Sequence, residues 1–232
     1  MLLWGVPHLL ILLAIAALGF GLTAVQKGVA RRSPAWRYRL PFTLGMILAA
    51  NELIWYGFVL RNYGFQFPGG LPLDLCNVMV WLTIVAVFTR RLGIYEVAYY
   101  GGLGGSTMAL LTPDLGAALP SYPAISFFIS HGLTVITLWV LTGARLLRPR
   151  WGSVWRVFAI LNLYTAAVGS FDAWFGTNYM YLRAKPVNSS LLDLFGPWPL
   201  YILVADFFAL GVFWLLWLPV RHSRNGALPP TR

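Results

Sequence analysis

Seven apolar runs of roughly 18 to 25 residues each, separated by short polar connections, divide nearly the whole chain. They lie at about 5–25, 40–62, 72–89, 94–112, 122–146, 154–175 and 199–220. A run of that length spans a bilayer core as an α-helix, and a chain made of such runs cannot hide them all inside a water-soluble domain of this size. With 59% hydrophobic and 10% charged residues, the chain has the composition of a polytopic membrane protein. The fold class expected is therefore all-α, a bundle of seven transmembrane helices. The bundle forms a single domain over residues 1–220, followed by a disordered basic tail over 221–232.

The formal charge of +10 points to membrane loops and not to nucleic acid, because the basic residues fall in clusters between apolar runs. Fourteen of the 17 Lys and Arg residues lie on alternate connections and the tail, and three on the others. The heavy side holds Lys27, Arg31, Arg32, Arg37 and Arg39, then Arg90 and Arg91, then Arg145, Arg148, Arg150 and Arg156, then the tail. The positive-inside rule then puts the N-terminus outside and the C-terminus in the cytoplasm, in a multi-pass protein of the plasma membrane. The first run has no basic residue before it and a basic cluster after it, which reads as a retained helix and not a cleaved signal.

A single cysteine, Cys76, excludes an intramolecular disulfide and a cysteine-rich metal site. No Gly-x-Ser-x-Gly elbow, His-Glu-x-x-His pair or nucleotide-binding lysine loop occurs, and neither cofactor nor metal is expected. The glycines of Gly101-Gly102-Leu103-Gly104-Gly105 lack the strand and lysine of a phosphate loop; Gly101 and Gly105 suit close packing of membrane helices.

Chemistry must then come from polar groups inside the apolar runs, where they are costly. Pro72 suits a helix start, which puts Cys76 about one turn inside, near the positive end of the helix dipole. His131 falls about 13 Å down the fifth run from its outer end and Asp206 about 9 Å down the seventh, at 1.5 Å per residue. A thiol, an imidazole and a carboxylate can thus meet in the outer half of the bilayer as nucleophile, base and orienting acid. Taken singly, His131 is as well explained by a helix-to-helix hydrogen bond, and Glu52 and Asp206 by pairing with each other or with tyrosines. Asp74 and Asp172 lie near enough to the outer surface to be solvated. The outer connections are rich in hydrogen-bonding groups, among them Thr112-Pro113-Asp114, Asn178, Tyr179, Arg183 and Lys185. The two cations suit either a lipid phosphate or a balance with Asp172 and Asp193.

Leu71-Pro72-Leu73 with Leu75-Cys76, Phe127-Phe128-Ile129-Ser130-His131-Gly132, Asn178-Tyr179-Met180-Tyr181-Leu182 with Pro186, and Gly196-Pro197-Trp198-Pro199 occur in this order. Together they resemble the YwaF-type bacterial integral membrane family, which is similar to the animal transmembrane protein 164 group. That resemblance implies a cysteine-dependent phospholipid acyltransferase, with Cys76 as nucleophile and His131 as its partner. The expected reaction moves an acyl chain between phospholipid and lysophospholipid through a thioester. Asp206 is expected to orient His131, and Asn77, Glu52, Asn178, Tyr179, Arg183 and Lys185 to line the substrate site. The competing reading is a permease or receptor for a small or lipid-like ligand, with Cys76 a spectator.

Overall fold

A computed structural model describes residues 5–188 and 190–221. Among these every regular element is helical. The elements are α1 (Val6–Arg32), α2 (Arg39–Tyr63), α3 (Leu75–Thr89), α4 (Leu92–Val97), α5 (Leu103–Leu111), α6 (Tyr122–Gly143), α7 (Ser153–Phe175) and α8 (Leu200–Trp217). A π-helical turn, Ala98–Gly102, joins α4 to α5, so these two form one interrupted rod. Six of the seven apolar runs become one helix each, and the fourth is divided between α4, the π turn and α5. Five of them, α1, α2, α6, α7 and α8, are long and apolar enough to cross a membrane. The helix α3 has 15 residues, and the α4–α5 rod is broken by its π turn. The expected tail, including His222, lies outside the described residues apart from Arg221.

The axis of the bundle is α6. Of its most apolar window 72% is buried, against 11–22% for the other four long helices. It packs against α1, α2, α3 and α5, while α8 packs on α7, α5 and the short turn Leu191–Phe195. The outer helices show the reverse pattern: Leu10, Leu13, Phe20, Leu53, Ile54 and Leu163 are exposed, as a lipid-facing surface requires.

Helix α1 approaches the axis through glycine. A Cβ on Gly19 would collide with the Trp139 ring of α6, and one on Gly143 of α6 would sit 2.5 Å from Thr23 Cγ2. Small residues let two backbones come close where no hydrophobic effect drives helices together. Gly19→Ala is expected to push the rigid Trp139 ring aside and lower stability by about 1–3 kcal/mol, the usual cost of overpacking. Thermal unfolding in detergent checks this; an unchanged midpoint would mean that α1 slides freely on α6.

On the basic side, the connections are tied together by polar contacts. Glu96, 2% exposed, accepts from the Arg150 backbone N–H (2.8 Å) and guanidinium (3.0 and 2.8 Å), and from Arg156 at 3.3 Å. Tyr100 and Ser153 share a hydrogen bond of 2.9 Å, and Tyr99 donates to the Leu216 carbonyl at 2.9 Å. These fasten α4 and the π turn to α7 and α8.

Two sequence expectations shift. The third helix starts at Leu75 and not at Pro72, because Leu71–Leu73 form a turn, with the Leu73 N–H bonded to the Leu71 carbonyl at 2.9 Å. Asp74 becomes the N-cap position and Cys76 the second residue of α3, in its first turn. The first helix runs seven residues past the apolar run, through Gln26 and the basic cluster, and stops before Pro34. A proline clashes with helical backbone in the residue before it, which sets that end.

Candidate functional site

The connection after α7 folds over the start of α3. The Tyr179 hydroxyl donates to the Pro68 carbonyl at 2.8 Å and accepts from the Leu71 N–H at 2.9 Å. The Met180 N–H donates to Asp74 Oδ1 at 2.9 Å. From α7, the Tyr164 hydroxyl donates to the Leu73 carbonyl at 2.7 Å. The Asn-Tyr-x-Tyr-Leu and Leu-Pro-Leu-x-Leu-Cys pieces, over a hundred residues apart in sequence, thus form one cap beside Cys76.

Further bonds fix the cap. Asn178 Oδ1 accepts from the Arg183 and Ala184 N–H groups at 2.9 and 3.0 Å, and its amide donates to the Ala184 carbonyl at 2.9 Å. Asp172 is fully buried, contrary to the solvated position expected of it; its Oδ1 accepts from Thr177 Oγ1 at 2.6 Å and from the Tyr179 N–H at 3.0 Å. It holds the turn that delivers Tyr179. Asp74 is exposed, as expected. Tyr181 donates to Asp114 Oδ2 at 2.7 Å, and the Tyr201 hydroxyl donates to the Tyr181 carbonyl. Burial, then the Asp114 carboxylate it faces, push the Tyr181 phenol up from its ordinary range, so it stays a neutral donor.

Met180 and Tyr181 have φ of 54° and 57°, the left-handed region, in succession. For two residues with side chains this is strained backbone, and the surrounding hydrogen bonds hold it. Tyr181→Phe removes one of those bonds and is expected to loosen the cap. Cys76 is the only thiol, so its maleimide labelling reads the effect directly: about tenfold faster than wild type if the lost charge-assisted bond is worth about 1.5 kcal/mol. An unchanged rate would mean that the cap does not cover Cys76.

Cys76 is half-buried, and its Sγ lies 3.8 Å from the point where a Cβ on Gly105 would stand. One turn further from the cap, Met79 Sδ occupies the same relation to Gly101 at 2.5 Å, and Thr134 Cγ2 of α6 faces Gly102 at 3.4 Å. Gly101 thus serves close packing, as its sequence context suggests, whereas Gly105 leaves ordinary van der Waals room beside the thiol. Moving one turn toward the cap on each helix, about 5.4 Å, leads from Met79 to Cys76 on α3 and from Thr134 to Ser130 and His131 on α6. Cys76 and His131 thus each stand one turn capward of a residue that packs on the π turn. Among the described residues no hydrogen bond joins them. The two described cavities lie elsewhere, one beside the end of α1 and one between α1, α5 and α6.

His131 is 8% exposed, and its Nδ1 is 2.8 Å from the Phe127 carbonyl one turn earlier, with the Phe127 ring 4.1 Å away. A carbonyl only accepts, so this contact assigns the proton to Nδ1 and leaves the lone pair on Nε2. The contact expected of Asp206 is thereby supplied by backbone. Asp206 instead accepts from Asn162 Nδ2 of α7 at 3.0 Å. Its helix α8 packs on α7 and α5 while His131 stands on α6.

Beside His131, Glu52 of α2, 2% exposed, accepts from Ser130 Oγ. Asn51 donates to Ser130 Oγ at 2.8 Å and to Ser126 Oγ at 3.3 Å. Asn77 is half-buried one residue after Cys76. Of the other expected substrate contacts, Asn178 and Tyr179 build the cap itself. Arg183 donates to the backbone carbonyls of Asp172 and Thr177 at 3.4 Å, and Lys185 sits 5.4 Å from the Tyr201 ring centroid. Neither cation pairs with a carboxylate among the described residues. The sequence marks Tyr181 through Asn-Tyr-x-Tyr-Leu and Asp114 through Thr112-Pro113-Asp114, but it carries no local signal for Tyr164 and Tyr201.

No curated protein and no solved structure matches this chain. A family model does, over residues 3–217, which takes in all eight helices and both halves of the cap. That match agrees with the transmembrane protein 164 side of the resemblance, and with five helices able to cross a bilayer it makes this a multi-pass membrane protein. The chain belongs to the TMEM164 family.

Proposed function

We propose that this protein is a membrane acyltransferase that moves a fatty acyl chain from a phospholipid to a lysophospholipid through a thioester on Cys76. The observation that carries the reading is the cap. Two separated pieces of sequence, rich in tyrosine and held in strained backbone, are folded together beside the single thiol of the chain. Strain of that kind is tolerated where a site needs a fixed geometry.

In the proposed reaction, Cys76 Sγ attacks the ester carbonyl carbon and its proton passes to His131 Nε2. The carbon–oxygen bond to the glycerol breaks, the departing oxygen takes the proton, and a lysophospholipid leaves. The hydroxyl of a second lysophospholipid then attacks the thioester, gives its proton to Nε2, and the carbon–sulfur bond breaks to restore the thiol. Each half replaces one ester-type bond by another, so nothing is oxidised and no cofactor is consumed. Phe127 fixes the tautomer that makes Nε2 the acceptor. Glu52 with Asn51, Ser126 and Ser130 offers hydrogen bonds to the glycerol region. Arg183 and Lys185, on the cap, would take the phosphate; that neither forms a salt bridge among the described residues supports this. Asp206 and Asn162 tie α8 to α7.

This reading takes all seven apolar segments as membrane passes of a plasma-membrane protein, with the N-terminus outside and the cap at the outer leaflet. The 14-to-3 distribution of basic residues supports it. Purified protein in mixed micelles with an acyl-labelled phosphatidylcholine and an unlabelled lysophospholipid tests the function. Label should move to the lysophospholipid with wild type and stay in place with Cys76→Ala. Equal transfer by both proteins would end the proposal and favour a permease or receptor. Asp206→Asn is expected to keep activity within about twofold, since its Oδ1 can still accept from Asn162 and the bond orienting His131 is elsewhere. A large fall in turnover would restore Asp206 as the orienting acid.

A further inference from the structure

We infer that the groove beside the last turns of α1 binds the headgroup of an anionic phospholipid, at the side of the bundle that carries the basic connections. The groove has a volume of about 440 Å³. Its wall is apolar, made by Ala24, Val25, Gly28 and Val29, and its rim carries Arg32 and Trp36. A Cβ on Gly28 would meet nothing within 4 Å, so the floor is open. Trp36 is half exposed, and the Arg39 guanidinium stacks on its ring at 3.8 Å from the centroid. Two guanidinium groups therefore frame one groove, Arg32 directly and Arg39 through Trp36.

The occupant follows from charge. The first 51 residues contain no Asp or Glu, while Lys27, Arg31, Arg32, Arg37 and Arg39 fall within them. Both salt bridges among the described residues are made by Glu96, which is engaged by Arg150 and Arg156. None of the seven Asp and Glu side chains of the chain forms a salt bridge with Arg32 among the described residues, which leaves its guanidinium for an external anion. A free anion would use the arginines and ignore the apolar wall. A phospholipid uses both: its phosphate meets the guanidinium groups, its glycerol and first methylenes lie on the wall, and Trp36 sits at the level of the headgroups. The inference is independent of the acyl-transfer reading, since the groove lies at the opposite end of the bundle from Cys76.

Native mass spectrometry of the full-length protein in detergent, titrated with dioleoyl phosphatidylglycerol or dioleoyl phosphatidylcholine, tests it. One phosphatidylglycerol should be retained in preference to phosphatidylcholine. Arg32→Gln should weaken its retention about fivefold, and Arg32→Gln with Arg39→Gln about thirtyfold, at about 1 kcal/mol per arginine. Gly28→Leu fills the floor without removing charge and should weaken both lipids. Equal retention of the two lipids, retention of phosphatidylglycerol unchanged in all three variants, or displacement by millimolar inorganic phosphate would each overturn the inference.

Discussion

His131→Ala is expected to slow acyl transfer by about a hundredfold or more, the range lost when a positioned general base is removed. The structural side of the histidine is modest: its Nδ1 bonds a carbonyl of its own helix, so the substitution breaks no tie between helices. Stability in detergent should therefore change far less than turnover. His131→Gln, which keeps a side-chain donor for the Phe127 carbonyl but supplies no base, should be nearly as slow as alanine. Recovery of activity in the glutamine variant would mean that His131 serves packing and hydrogen bonding alone.

Glu96→Ala should give the largest loss of stability of any single polar substitution in the bundle, about 3 kcal/mol. Glu96 is buried, and four donors from Arg150 and Arg156 converge on it. Truncating one member of a buried ion pair leaves its partners uncompensated. The arginine side chains are 55% and 48% exposed and can turn to water, which holds the cost at the lower end of the usual range. The readout is the unfolding midpoint in detergent, with acyl transfer per folded molecule unchanged, because the cluster lies on the basic side, away from Cys76. A fall in turnover with intact stability would place Glu96 in the site.

The helices were legible because hydropathy is a local quantity. The second and sixth segments are met within one residue at each end, by α2 and α7. What escaped is set by contacts between distant residues. Pro72 suits a helix start, yet Tyr164 and Tyr179 take the Leu73 carbonyl and the Leu71 N–H and hold that stretch as a turn, so α3 begins three residues later. The π turn at Ala98–Gly102 has no local mark beyond its glycines. Cys76 stands out as the single thiol, in the Leu-Pro-Leu-x-Leu-Cys piece, and His131 because an imidazole is rare in an apolar run. Depth along the helix points to Asp206, but depth does not say which way a side chain faces: Asn162 lies 44 positions away and is its partner. The cap was half legible. Its motif was visible, but its attachment to Pro68, Asp74 and Asp114 depends on how α7 and α3 stand together.

The central claim is that Cys76 carries the acyl group, and intact-mass spectrometry tests it most directly. Wild-type protein incubated with a phosphatidylcholine of one defined acyl chain, without acceptor, should gain the mass of one acyl group. Hydroxylamine should remove it, and peptide mapping should place it on Cys76, the only thiol in the chain. Lysophospholipid added in place of hydroxylamine should discharge it to give diacyl phospholipid. Cys76→Ala should show no adduct. An unmodified wild-type protein that nonetheless remodels lipid, or an adduct that persists in Cys76→Ala, would contradict the account.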